Sequence, residues 1–87
     1  MTSLHRVYFD ANEGSRSDGY FLHLPESRMD IAAIGNTLRD GLRVIIYTTG
    51  GLEIEALLEY APEDDRWVAL PVHGTIKHPK GFRPISN

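Results

Sequence analysis

Apolar residues in much of this chain recur at every second position, which is the period of a half-buried β-strand. The pattern is clearest in residues 52–60, where apolar side chains alternate with glutamates except at Leu57. We predict that this strand pairs with the apolar run 44–47 across a glycine turn at 48–51, although a helix over 54–60 is an alternative. Further strands are predicted at 4–10, 20–24, 67–70 and 74–76.

The pattern also predicts which strands pair and which residues form the core. The runs at 4–10 and 20–24 are expected to form a hairpin joined by a long polar loop. Glu53 and Glu55 are expected to remain in water on the outer face of their strand. The predicted core residues are Leu52, Ile54, Ala56 and Leu58, with Val44, Ile46 and either Val68 or Trp67.

One short helix is predicted near residues 28–40, where apolar residues recur at helical spacing. Ser27 followed by Asp30 resembles a capping box that would begin it, and Gly41 would end it. Gly35 lies in the middle of this segment and costs about 1 kcal/mol relative to alanine. We therefore expect the helix to depend on packing against the strands.

The composition is that of one folded domain: 41% of the 87 residues are hydrophobic and 24% are charged. The chain has no cysteine, which excludes disulfides and thiolate zinc sites. We place the domain at residues 1–77 and a flexible tail, rich in proline and glycine, at 78–87. Because no apolar run has the length of a signal peptide or membrane span, we expect a cytoplasmic protein without membrane association.

From residue 41 to 76 the order of elements resembles the later part of an SH3-like barrel. The spacing of Trp67, Ala69, Gly74 and Ile76 is similar to the ending of that family. The resemblance implies a mainly β fold of the α+β class, a small antiparallel SH3-like barrel of about five strands with the short helix added. It does not imply polyproline binding, because Arg66 stands where that family has its ligand-contacting tryptophan. The chain is also similar to short bacterial domains of unknown function.

Charge is divided along the chain, whose net charge is −3. Residues 53–65 include six acids and no base, whereas residues 66–87 include four bases and no acid. We expect Lys77 to lie beside the acidic strand, and the later bases to be free to meet an anionic partner. The candidate binding residues are Arg66, Lys77, Lys80, Phe82 and Arg83.

Signals for catalysis are weak. The spacing of the four histidines, His5, His23, His73 and His78, is not that of a zinc motif. Glu53 and Glu55 would lie about 6 to 7 Å apart on one strand, but the simpler interpretation is a solvated sheet face. We predict no catalytic residue, no bound metal and no cofactor.

The sequence therefore favours a non-catalytic interaction module whose partner is a protein. The first alternative is a small nucleic-acid-binding barrel that uses the basic C-terminal segment. The second is a small hydrolase or metal enzyme, which a cleft joining His73 to Glu53 or Glu55 would favour. An exposed apolar patch would favour the protein partner, and a continuous basic stripe would favour nucleic acid.

Overall fold

The computed structural model describes residues 4–12, 15–16 and 18–77. These residues form six strands and one α-helix, followed by a short 3-10 turn over Gly35–Thr37. Residues 78–87, the expected flexible tail, lie outside the described residues. The elements are β1 (Arg6–Tyr8), β2 (Ser15–Arg16), β3 (Gly19–Phe21), α1 (Pro25–Ile34), β4 (Arg43–Tyr47), β5 (Glu53–Ala61) and β6 (Arg66–Pro71).

The strands form one mixed sheet in the order β1, β4, β5, β6, β3, β2. β1 pairs with β4 in parallel, and the other four pairs of neighbours are antiparallel. Because β1 and β2 stand at opposite ends of this order, the sheet is open. The expectation of a mainly β domain of the α+β class is confirmed, whereas the closed antiparallel SH3-like barrel is not.

The hairpin expected between the first two predicted strands is wrong, because β1 and β3 are not neighbours in the sheet. Parallel neighbours need a long crossover, and the segment that contains α1 supplies it between β1 and β4. β3 instead pairs with β6, where Tyr20 stands opposite Ala69. Phe9 and Tyr20 still meet, with ring centroids 4.8 Å apart. Side-chain contact thus replaces the expected backbone pairing.

Helix α1 begins at Pro25, three residues before the expected start, and it has no side-chain cap. Proline suits this first turn, where a backbone N–H would have no helical partner. Ser27 and Asp30 contact β1 and do not cap the helix. The Ser27 hydroxyl donates to the Tyr8 carbonyl oxygen over 2.5 Å, and the Asp30 carboxylate accepts the Tyr8 backbone N–H over 2.9 Å. The first turns of α1 are therefore tied to the outer side of β1.

The helix ends at Ile34, earlier than the predicted residue 40. Gly35 has a φ of 72°, which lies outside the helical region and stops the α-helix there. Within the described residues, no helix has the length and apolar character that crossing a membrane requires.

The hairpin of β4 and β5 is confirmed, with Val44 opposite Ala56 and Ile46 opposite Ile54. The strand period is also clear from burial, since Leu58 is 0% exposed and its neighbour Leu57 is 37% exposed. A helix over residues 54–60 is thus wrong. The buried core cluster comprises Val7, Phe9, Leu22, Ile31, Ile34, Val44, Ile46, Ala56, Leu58 and Ala69, with Leu52, Ile54 and Trp67 partly buried against it.

The short strand predicted at 74–76 is not formed, because Gly74 has a φ of 84° and lies in a turn. Lys77 follows this turn and pairs with Glu53 at the start of β5. The Glu53 N–H donates to the Lys77 carbonyl over 2.9 Å, and the Lys77 N–H donates back over 2.6 Å. The structure therefore places Lys77 beside the acidic strand, as expected.

Candidate functional site

The predicted basic residues do not gather at one place in the described structure. Arg66 stands opposite Ala61 at the end of β5, whereas Lys77 stands opposite Glu53 at its start. Eight residue steps along a strand separate those positions by about 26 Å. Lys80, Phe82 and Arg83 lie outside the described residues. Arg66 and Lys77 therefore belong to different surfaces.

Glu53 and Glu55, the two glutamates at the start of β5, each form an ion pair with an arginine. Arg6 Nη1 lies 2.6 Å from a Glu53 oxygen, and Arg43 Nε lies 2.7 Å from a Glu55 oxygen. The depression beside these glutamates is small, about 20 Å³, and His73 does not line it. In the part of the chain that the structure describes, no three His, Asp or Glu side chains form a group that could hold a metal ion.

An open depression lies between α1 and the turn that joins β5 to β6. We call it the α1/β6 cleft; its volume is about 480 Å³. Such a volume suits one or two side chains of a bound partner, or a small ligand. Its lining residues are Leu22, His23, Arg28, Ile31, Ala32, Tyr60, Asp65, Arg66 and Trp67.

Aromatic and aliphatic side chains form much of the cleft wall. Tyr60 and Trp67 stand opposite each other on β5 and β6, and their rings meet edge to face with centroids 5.4 Å apart. Both are half-buried, so each presents part of its surface to solvent. Leu22 and Ile31 are buried core residues that border the same space. The cleft therefore joins the hydrophobic core to the surface.

Basic groups from separate elements also line the cleft: Arg28 on α1, and Arg66 on β6. The Arg66 guanidinium lies 5.2 Å from the centroid of the Phe21 ring, and its Nε donates to the Asp64 carbonyl over 3.3 Å. No carboxylate within the described ranges forms an ion pair with either arginine. These contacts hold the Arg66 guanidinium over Phe21, on the face of the sheet opposite Trp67.

Asp65 is the acidic residue of the cleft, and its carboxylate is already bound by the hydroxyl of Tyr60. This hydrogen bond is the main reason that the pKa of Tyr60 is raised, and desolvation adds to it. Since its partner is a neutral phenol, the Asp65 carboxylate keeps its negative charge, so the cleft lining carries negative as well as positive groups.

His23 connects β3 to α1 and lines the cleft. Its Nδ1 is buried and has no hydrogen-bond partner among the described residues. A buried nitrogen without a partner lowers stability by about 1 to 3 kcal/mol. A polar group of a bound partner that reached this nitrogen would form a hydrogen bond with it.

No family model, curated protein or solved structure matches the chain. The cleft is therefore interpreted from its own residues. Of the predicted binding residues, Arg66 lies in it. Arg28 and Tyr60 were not among the predicted binding residues: the packing of α1 against the sheet brings Arg28 to the cleft, and the pairing of β5 with β6 sets Tyr60 opposite Trp67. Trp67 itself, the one tryptophan of the chain, was the available signal.

Proposed function

We propose that this chain is a non-catalytic module that binds a protein partner in the α1/β6 cleft. The observation that carries the proposal is the pair Tyr60 and Trp67, which are half-buried side by side in an open cleft. Tryptophan, tyrosine and arginine are the residues that most often dominate the binding energy of protein interfaces. All three types occur here within one depression.

The size of the cleft supports a protein partner. About 480 Å³ accommodates a large side chain with part of its backbone, and the remainder of an interface would extend over the rim. Ala32 offers part of such a rim, since it lines the cleft and is exposed on α1.

The placement of the bases favours a protein over nucleic acid. Binding along a phosphate backbone uses a row of cations, whereas Arg66 and Lys77 stand about 26 Å apart along β5.

The carboxylates support a non-catalytic role, because those that could act as an acid or a base already have partners. Glu53 and Glu55 are each paired with an arginine, and Asp65 accepts the Tyr60 hydroxyl.

A photo-crosslinking experiment tests this function. Benzoylphenylalanine is introduced in place of Ala32, which is exposed and lines the cleft, and separately in place of exposed Glu59. Glu59 is the control because neighbouring residues of a strand point to opposite faces, so it lies away from Tyr60. After irradiation in an extract of the source cells, we expect one defined protein crosslinked from position 32 and absent from position 59.

Trp67→Ala in the position-32 protein should remove that product if the aromatic wall holds the partner. Identical products from both positions, or crosslinks from position 32 to nucleic acid alone, would contradict the proposal. Circular dichroism of each variant establishes that the comparison is made between folded proteins.

A further inference from the structure

We infer that a second copy of this chain binds the face of the sheet that α1 leaves uncovered, so that the protein forms a weak symmetric dimer. We call this surface the outer sheet face, and the residues of it that carry the inference are Phe21, Ile45, Leu57, Glu59, Arg66 and Leu70. Tyr60 and Trp67, which carry the proposed function, point to the other face of the sheet. The inference therefore goes beyond the proposed function and does not depend on it.

The outer sheet face has an exposed apolar centre. Ile31 of α1 packs in the core cluster with Leu58 and Ala69. Because neighbouring residues of a strand point to opposite faces, Leu57 and Leu70 point away from the helix. They stand directly opposite each other on β5 and β6, where Leu57 is 37% exposed and Leu70 is half-buried. Two copies stacked on this face would remove both leucines from water.

The outer sheet face is large enough for a weak dimer. Half-buried Ile45 on β4 and Phe21 on β3 extend the apolar centre to both sides, and Val68 between them is already buried. β5 is about 30 Å long and the strands from β1 to β3 span about 19 Å, which gives roughly 550 Å² per copy. About 1,100 Å² for the two copies together lies near the lower limit of specific interfaces. We therefore expect reversible association and not a permanent dimer.

The charges of the outer sheet face favour a copy of the same chain. Toward the start of β5, each glutamate is paired with an arginine of its own chain. Glu59 is exposed further along the strand and forms no ion pair within the described ranges. Arg66 forms none either, and its guanidinium is held toward β3, over the Phe21 ring and away from β5. One unpaired acid and one unpaired base make this surface complementary to itself.

A two-fold axis that runs along the strands between β5 and β6 satisfies these groups. It lays β5 of one copy over β6 of the other, in the aligned packing by which two sheets bury their faces about 10 Å apart. Leu57 then lies over Leu70 of the second copy, because the two residues are opposite each other in register. Glu59 lies over Val68 of the second copy, one step along that face of the strand from Arg66. Each Glu59 thus pairs with Arg66 of the other copy, and the symmetry repeats the contact.

Charge exchange between the two copies tests this arrangement. The full chain is examined by sedimentation velocity at low salt from about 5 µM to 1 mM, and we expect a monomer that becomes a dimer across this range. Glu59→Arg alone and Arg66→Glu alone each set like charges against each other twice, so the dissociation constant should rise at least about tenfold. An equimolar mixture of the two variants should recover the dimer, because positions 59 and 66 then carry opposite charges at both contacts. An ion pair within one chain would give no such recovery.

Glu26→Arg and Arg39→Glu are the matched controls, because they change the net charge by the same amounts at exposed positions outside the outer sheet face. Both should dimerise like the unaltered chain. Leu57→Glu keeps the test open if Arg66→Glu does not fold, since it leaves the contact between Arg66 and Phe21 intact. It places a charge in the apolar centre and should abolish the dimer. Circular dichroism of each variant shows whether it is folded.

The other outcomes overturn the inference. A protein that stays monomeric at every concentration has no second copy on this face. A dimer that Glu59→Arg and Leu57→Glu leave unchanged uses a different surface. Weaker association of the single variants without recovery in their mixture would reject the pairing of Glu59 with Arg66 between copies. None of these results bears on the proposed function, which the position-32 crosslink tests separately.

Discussion

Leu58 lies in the middle of β5 with 0% of its surface exposed, and Leu58→Ala perturbs the core at its centre. The neighbours on the same face offer little to fill the space that the leucine leaves. Ala69 stands directly opposite on β6, and Ala56 lies two residues earlier on the same strand. Since alanines cannot extend into a cavity, we expect the loss to fall in the upper part of the usual range, about 3 to 5 kcal/mol.

A loss of this size is large for 87 residues, for which a total stability of about 4 to 13 kcal/mol is typical. The assay is urea unfolding followed by Trp67 fluorescence and by far-ultraviolet circular dichroism. If the free energy of unfolding falls by about 1 kcal/mol per molar urea, the urea concentration at the unfolding midpoint should fall by about 3 M or more. A variant that is already unfolded in buffer would meet the same expectation.

Leu57→Ala is the matched control, because the same atoms are removed one position away from a side chain that is 37% exposed. We expect its loss to stay below about 1 kcal/mol. If the two variants unfolded at the same urea concentration, the inward direction of Leu58 and the alternation of β5 would both be refuted.

Three further predictions concern the helix contact and one close approach. Asp30→Asn should lower the free energy of unfolding by about 1 to 3 kcal/mol in a urea titration, because the carboxylate accepts two hydrogen bonds, whereas Glu26→Gln on the exposed first turn should change it little. The hydrogen bond to Asp30 raises the pKa of Tyr47 above 10.0, so the stability that it contributes is complete below pH 10 and is lost as pH rises through the higher folded pKa. Tyr47→Phe should therefore flatten the decline of stability above pH 10, and an unchanged decline would contradict the coupling. Gly19→Ala would place a Cβ 2.1 Å from the Ala69 carbonyl oxygen and should lower the thermal midpoint, whereas Gly50→Ala, whose nearest atom lies at 3.9 Å, should not.

The parts of the fold that could be predicted are the local ones. Residues 44–60 alternate with a period of two around a glycine turn, and both the hairpin and its buried face follow from that pattern. The pairing of β1 was missed because its partner β4 begins 37 residues after it in the sequence. Propensity identifies a strand but carries no information on a distant parallel neighbour.

For the helix and the cleft as well, the local sequence predicted some features, whereas contacts between distant segments were missed. The apolar spacing predicted α1, but Ser27 and Asp30 were interpreted as a cap although they bind β1. Arg66 was selected from the charge pattern and does line the cleft. Arg28 was not selected, because its position beside Trp67 arises from tertiary packing between segments 39 residues apart.

The contact between α1 and β1 also bears on aggregation. An open sheet ends in strands whose free peptide groups invite another chain to pair with them. At β1, the N–H and the carbonyl of Tyr8 are already bound by Asp30 and Ser27. A second molecule that approaches this border finds the hydrogen-bonding groups at its centre occupied, and α1 stands in its path. The same two side chains that anchor the helix thus make β1 a poor template for fibril growth.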